Sequence, residues 1–197
     1  MIDETILRNV LKQIKEFPEG RDTLIDSFSD NQFLAKKQML EKLDFLNKES
    51  EVVIFGSWYG SILIPYLSPI VKRITCIDLD NEVLQVSKNR LFKHLKNVEY
   101  NPGDVFKLDL SRYHTTDLFI NPSCEHMPPM REFPYWPKST HFAFTSNNMF
   151  DIEGHVNCVN DINEFKTQLP DNSTVLHEEE IKDSRGIRFL LVGRIDS

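Results

Sequence analysis

The chain has 197 residues, 40% of them hydrophobic and 27% charged, and a formal net charge of −7. That length suits one domain with a sizeable core and a small appendage, and the acidic balance disfavours a protein that relies on broad phosphate contacts. Cys76, Cys124 and Cys158 are an odd set without repeat spacing, no apolar run approaches the ~18 residues of a membrane span, and "MIDETILRNV" has no apolar core; a disulfide framework, a membrane span and a secretory signal are therefore not expected, and a reducing cytoplasm is.

Residues 1–48 read as helical. Ile6, Leu7, Val10, Leu11 and Ile14 recur at helical spacing, and "FPEG" (17–20) breaks the pattern. "SDNQ" then offers Ser29 with Gln32 three residues on, the pattern of a capping box. Phe33, Leu34, Met39, Leu40, Leu43 and Leu46 continue one apolar face. Two readings stand for this segment: a helical cap packed on a sheet edge, or a lid over a site. From residue 49 to 197 the texture is that of a second unit.

There, "EVVIFG", "RITCIDLD", "NVEYNPGD", "TDLFIN" and "THFAFTS" are short apolar runs. "GSILIPYL", with Pro65 in its path, "NEVLQVSKNRLFKHL", capped by Asp80 or Asn81, and "DINEFKTQL" are the helical segments among them. "STVLHEEEI" and "IRFLLVGRI" close the chain with only "KDSRG" between them, which makes them antiparallel neighbours. Strands alternating with helices predict an α/β doubly wound, mostly parallel seven-stranded sheet with a C-terminal antiparallel hairpin and N-terminal helices.

In such sheets ligands bind beyond the carboxyl ends of the strands, at the topological switch point. "FGSWYGS" (55–61) follows the first strand, where Gly56 and Gly60 permit a tight turn and close backbone approach. A purely structural strand-to-helix turn also uses glycine. "IDLD" (77–80) follows the second: Asp78 is placed to accept hydrogen bonds from ribose hydroxyls, and Asp80 to cap the next helix. "PGDVF" (102–106) follows the third. Asp104 beside Val105 matches an adenine, with a carboxylate for its amino group and a backbone N–H for a ring nitrogen; Pro-Gly-Asp is equally turn chemistry.

With "NPSCEH" (121–126) after the fourth strand, these segments resemble class I S-adenosylmethionine-dependent methyltransferases over roughly residues 50–195. The resemblance implies a Rossmann-like methyltransferase fold, S-adenosyl-L-methionine as cofactor, and cofactor contacts from Gly56, Ser57, Gly60, Asp78, Leu79, Asp104, Val105 and Asn121. Phe55 stands where the family has an acidic residue, and its Gly-x-Gly-x-Gly is reduced to Gly56-Ser57-Trp58-Tyr59-Gly60. Trp58 and Tyr59 either cover the cofactor or pack. Asn121-Pro122 resembles the start of the Asn-Pro-Pro-aromatic loop of amino-group methyltransferases, where the Asn and Pro carbonyls aim an –NH₂ at the sulfonium methyl. Ser123 and Cys124 replace the second Pro and the aromatic, and "FPYWP" (133–137) offers a stacking surface instead. The stretch from "NPSCEHM" to "GHVNC" is also similar to small methyltransferase-like proteins, some of phage type.

Three chemistries compete for the cluster after the fourth strand. Cys124, His126, His155 and Cys158 make a Cys₂His₂ set, but their spacing is not that of common zinc sites, and no metal is expected. Cys124 beside His126 suggests a nucleophile, yet adjacent side chains on an extended loop point apart. Glu125 and His126 suit general acid–base work, alongside Asn121 as the acceptor clamp. "TSNNMFDIEGHVNC" (145–158) brings Asn147, Asn148 and His155 to the same edge, for substrate contact or for loop backbone. The reading is methyl transfer to a small-molecule acceptor, an amino or amide nitrogen, in preference to nucleic acid. Two other readings stand beside it: an enzyme that cleaves the cofactor or transfers another part of it, and a non-catalytic cofactor-binding protein.

Overall fold

The computed structural model describes residues 4–17, 19–109 and 111–196; Pro18 of the predicted helix break lies outside them. All seven predicted strands form: β1 (Glu51–Phe55), β2 (Arg73–Asp78), β3 (Val98–Pro102), β4 (Leu118–Asn121), β5 (His141–Asn147), β6 (Ser173–Lys182) and β7 (Ile187–Ile195). They make one sheet in the order β3-β2-β1-β4-β5-β7-β6. The first five are parallel, and β7 runs antiparallel between β5 and β6. The doubly wound fold expected from the sequence is thus the fold observed. Its strand order reverses between β1 and β4, which opens a crevice at their carboxyl ends.

The central strands are apolar on both faces because both faces are covered. Val52 and Ile54 of β1 face one core, together with Ile74, Leu118, Ile120 and Leu190. Val53 and Phe55 face another, which is rich in aromatics: Phe119, Phe133, Phe142, Phe144 and Phe165.

The N-terminal segment forms α1 (Glu4–Glu16), α2 (Arg21–Asp26) and α3 (Asp30–Leu40). Ile6, Val10, Leu24, Ala35, Met39 and Leu43 join the first core, so these helices cover that face of the sheet. The buried stripe is narrower than the periodicity suggested. Leu7, Leu11, Phe33 and Leu34 are substantially exposed, because α1 turns Ile6, Val10 and Gln13 inward and α3 turns Ala35 and Met39 inward. Nor does the capping box form. Ser29 is the N-cap of α3 without a side-chain bond, and Gln32 instead accepts from Lys36.

The other helices are short: α4 (Leu63–Leu67), α5 (Asn81–Val86) and α6 (Ile162–Lys166). Pro65 is tolerated because it sits in the first turn of α4, where an N–H has no intrahelical partner. Asp80 caps α5, accepting from Val83 N at 3.1 Å. The long helix predicted after it continues only as a π-helical turn, Ser87–Leu91, closed by Phe92 N donating to Ser87 O at 2.9 Å. Among the described residues no helix is long and apolar enough to cross a membrane.

Gly193 sits in β7 between β5 and β6. A methyl group there would lie 2.3 Å from Thr174 O and 2.4 Å from Phe142 Cζ. Backbone and a fully buried ring leave little room to give, so Gly193→Ala is expected to destabilise the fold by about 1–3 kcal/mol, the scale of overpacking. Urea unfolding checks this; a midpoint equal to the wild type's would show that the hairpin relaxes freely.

Candidate functional site

The turn after β1 carries three left-handed residues in five: Gly56 (φ 55°), Trp58 (φ 47°) and Gly60 (φ 64°). At Gly60 a second reason applies, whereas at Gly56 a Cβ would displace only the end of the Met127 side chain. A Cβ at Gly56 would sit 2.6 Å from Met127 Cε, and one at Gly60 would sit 2.4 Å from Ile64 Cδ1. Trp58 adopts this conformation at a cost that a bulky side chain rarely accepts. What holds it is Asp78, whose Oδ2 accepts from Trp58 N at 2.6 Å while Oδ1 accepts from Asp80 N at 2.9 Å. Burial pushes the Asp78 carboxyl up, and the Asp80 and Trp58 N–H groups pull it back. Ser57 N donates to Ile77 O at 3.2 Å, a second tie between the two strand ends.

These residues form part of the wall of a cavity of about 560 Å³ at the carboxyl ends of β1 to β4. Gly56, Ser57, Gly60, Asp78, Leu79, Asp104 and Val105 all line it, as the sequence suggested. Leu79 is 75% exposed, a large apolar side chain at the cavity edge. Asp104 pairs with Lys107 at 2.9 Å and accepts from Phe106 N at 3.0 Å, which keeps its carboxyl below the ordinary range. Trp58 lines the cavity, whereas Tyr59 packs, its hydroxyl 3.0 Å from Thr23 Oγ1.

The turn after β4 supplies another wall through Pro122, Ser123, Glu125, His126 and Met127. Asn121 is not among these. It is wholly buried; its Oδ1 accepts from Ser123 N at 3.0 Å, and its Nδ2 donates to Met127 Sδ and Met130 Sδ at 3.3 and 3.4 Å. Asn121 therefore shapes the turn from beneath, and its amide oxygen is already engaged. Cys124 is also buried, with Sγ donating to Asn121 O at 3.8 Å, and burial pushes its thiol far up. That is the state of an inert thiol, opposite to an activated nucleophile.

Glu125 is 3% exposed. Its Oε1 lies 3.9 Å from the Arg188 guanidinium, and its Oε2 has no hydrogen-bond partner. Desolvation raises its carboxyl above the ordinary range, and nearby Arg188, His126 and Lys36 only partly offset this. The loop after β5 is fastened to the same turn: Val156 N and Asn157 N both donate to Glu125 O at 2.9 Å. His126 Nδ1 lies 2.9 Å from Gly154 O, and His155 Nδ1 lies 3.0 Å from Met149 O. The two imidazole rings meet edge to face at 4.7 Å. Asn147 and Asn148 hold loop backbone, accepting from Met149 N and Ile187 N.

One expectation fails here, and one of the competing chemistries lacks its geometry. "FPYWP" does not reach the cavity: Phe133 and Trp136 pack on Phe55, Phe119 and Phe144 in the aromatic core, and Phe106 takes the cavity-lining place instead. The Cys₂His₂ set does not assemble either, because Cys124 points into the core.

Some lining residues were missed. Asp26, Ser27, Gln32 and Lys36 come from α2, α3 and the link between them, and Arg185 and Arg188 from the final hairpin. Ser27 Oγ lies 2.6 Å from Ser61 Oγ, joining the N-terminal helices to the glycine turn. Burial and Arg188 bring Lys36 down to about 8. A signal for Arg188 did exist: a cation opening the otherwise apolar run "FLLV". Arg188 is buried because Asp183 accepts from its Nε at 3.0 Å.

No protein-family model matches the chain, and no curated protein matches it in sequence. Solved structures do match in fold. The N-methyltransferase NodS of Bradyrhizobium japonicum WM9, in complex with S-adenosyl-L-homocysteine, superposes with a TM-score of 0.72 at 15% identity, over 99% of this chain and 100% of that one. A SAM-dependent methyltransferase from Aquifex aeolicus gives 0.67 at 21% identity, over 88% and 97%. The YcgJ protein of Bacillus subtilis gives 0.68 at 11%, over 83% and 99%. The chain has the Rossmann-like fold of these proteins.

The buried Glu125 carboxylate has a consequence for stability. Its folded pKa is raised, so between the ordinary carboxylate range and that raised value the folded chain holds a proton that the unfolded chain has lost. Stability from this group therefore falls as pH rises through that window. Glu125→Gln removes the buried charge and is expected to be more stable than wild type at pH 7, with the advantage shrinking towards pH 4. Denaturant unfolding across that range checks it; a variant less stable at every pH would show the charge to be well compensated.

Proposed function

We propose that the protein is an S-adenosylmethionine-dependent methyltransferase acting on a small-molecule acceptor. The observation that carries this reading is the gathering, around one cavity at the switch point, of a left-handed glycine turn, the Asp78 carboxylate and Asp104. The cavity opens onto Glu125, His126 and His155. Its volume falls within the ~300–1,000 Å³ of small-molecule sites.

The residues present suit the cofactor. Gly56 and Gly60 both line the cavity, so the main chain of this left-handed turn is within reach of a ligand there. Asp78 engages Trp58 and Asp80 through one hydrogen bond per oxygen and keeps lone pairs for ribose hydroxyls. Asp104 with Val105 would meet the adenine, and the exposed Leu79 would cover it. When bound, S-adenosylmethionine supplies an electrophilic methyl group on a sulfonium. The chain contributes position: the Pro122–Met127 turn and the loop carrying His155 orient the acceptor, which in well-oriented cases supplies about 7–11 kcal/mol.

Glu125, with its carboxyl raised and one oxygen unpartnered, is the group suited to take a proton from the acceptor, beside His126. Asn121 acts as a positioning residue through Ser123. Asn121 is wholly buried and its side chain does not line the cavity, so its amide oxygen is not placed to clamp a nitrogen acceptor.

Asp78→Ala is expected to weaken S-adenosylmethionine binding by about 1–3 kcal/mol, the scale of hydrogen bonds to a charged group. Calorimetry on the folded variant checks this, and an unchanged affinity would overturn the assignment. Product analysis with candidate acceptors tests the chemistry: S-adenosylhomocysteine supports methyl transfer, and methylthioadenosine would replace it with cofactor cleavage.

A further inference from the structure

We propose that Glu125, His126 and His155 hold a divalent transition-metal ion of the zinc class, with open coordination positions facing the cavity. One donor atom from each of the three side chains lies within 4.8 Å of the other two. All three residues line the cavity. Convergence alone would be weak, but two further observations point to a ligand.

The first is Glu125 Oε2. This oxygen is buried on a residue 3% exposed and has no hydrogen-bond partner. The other oxygen faces Arg188 at 3.9 Å, and Arg188 is itself tied to Asp183 at 3.0 Å, so the guanidinium does not satisfy Oε2. A buried carboxylate oxygen left bare is costly unless something cationic completes it. Lys36 acts on Glu125 only through space, its ammonium donating to Gln32 and making no hydrogen bond to Oε2, and Arg185 is exposed.

The second is the pair of imidazoles. Each has Nδ1 at hydrogen-bond distance from a backbone carbonyl, Gly154 O at 2.9 Å and Met149 O at 3.0 Å. A carbonyl only accepts, so in the neutral ring Nδ1 carries the proton and Nε2 keeps its lone pair; Cys158 Sγ also lies 3.5 Å from His155 Nδ1. The outer-shell bond to the carbonyl is the one that fixes the tautomer and raises the basicity of a metal-ligating histidine. The turn and the loop that carry the two rings are fastened by the two hydrogen bonds to Glu125 O, so the arrangement is preset.

Two imidazoles and one carboxylate suit zinc or a similar ion, and three protein ligands leave room for a bound oxygen or nitrogen. This deepens the methyltransferase reading and rests on it for its use: the acceptor would be a small molecule with a hydroxyl or amine able to coordinate the ion. An acceptor hydroxyl bound there loses its proton more readily. As a ligand to the ion, Glu125 no longer takes the proton, which leaves to solvent. The oxygen lone pair forms the bond to the methyl carbon as the carbon–sulfur bond breaks, and the electron pair of the broken bond stays on sulfur.

The test is calorimetric titration of the chelator-treated full chain with zinc chloride, with visible absorption on cobalt(II) addition as a second readout. One ion per chain is expected. Affinity should fall at least tenfold in each of His126→Ala, His155→Ala and Glu125→Gln, with far-ultraviolet circular dichroism confirming the fold. No stoichiometric binding by wild type, or binding undiminished in all three variants, would overturn the proposal. Titration of wild type with S-adenosylmethionine separates the two readings: zinc bound without S-adenosylmethionine affinity would keep the metal site and remove its role in methyl transfer.

Discussion

One carboxylate joins the two loops on which the cavity depends. Asp78 closes β2 and takes the N–H of Trp58 at 2.6 Å, across from the end of β1. That bond fixes a non-glycine residue in the left-handed region, between two glycines in the same region. The chain can then turn sharply three times before α4, leaving its backbone open to a ligand. Without Asp78 the Trp58 conformation loses the hydrogen bond to its N–H, and its packing on the core, the Gly60 N to Ser57 O bond and the Ser57 N to Ile77 O tie would remain. The residue that organises the site is thus the one proposed to hold the ribose, which couples local stability to cofactor binding.

The opposite side of the cavity is built on a different constraint, a buried charge. Glu125 lies in the turn after β4, beneath a loop that donates twice to its backbone carbonyl. The charges around it come from distant parts of the chain: Lys36 from α3, and Arg188 from β7. The N-terminal helices therefore contribute to the cavity as well as to the core, through Lys36, Asp26 and the Ser27–Ser61 contact. The segment packs on a face of the sheet, not on its edge, and also reaches the cavity. The cavity wall it forms explains why polar residues of α2 and α3 turn inward at that edge. An unsatisfied carboxylate beside two oriented imidazoles is an arrangement that costs stability, and such costs concentrate where chemistry is done.

The sheet was legible because each strand is a compact apolar run bounded by turn residues, and a five-residue link between the last two leaves no other pairing. The glycine turn, Asp78 and Asp104 were legible because a doubly wound sheet brings strand ends together by topology alone. Asn121 misled because its neighbour Pro122 identifies a constrained turn without saying which way the amide faces. In this fold two methionines and the Ser123 N–H draw it under the turn. His155 was seen as a member of the edge loop, but its convergence with Glu125 and His126 depends on hydrogen bonds from Val156 and Asn157, contacts that no local pattern encodes. Lys36 was hidden for the same reason; Arg188 left a local trace as the cation ahead of "FLLV", but its place at the cavity is set by long-range packing.

The most direct test of the account is a crystal structure of the protein soaked with S-adenosylhomocysteine. The account places the ribose hydroxyls on Asp78, the adenine beside Asp104 and Leu79, and the sulfur turned towards Glu125, His126 and His155. A ligand bound with its sulfur away from those three residues, or bound outside this cavity, would contradict it.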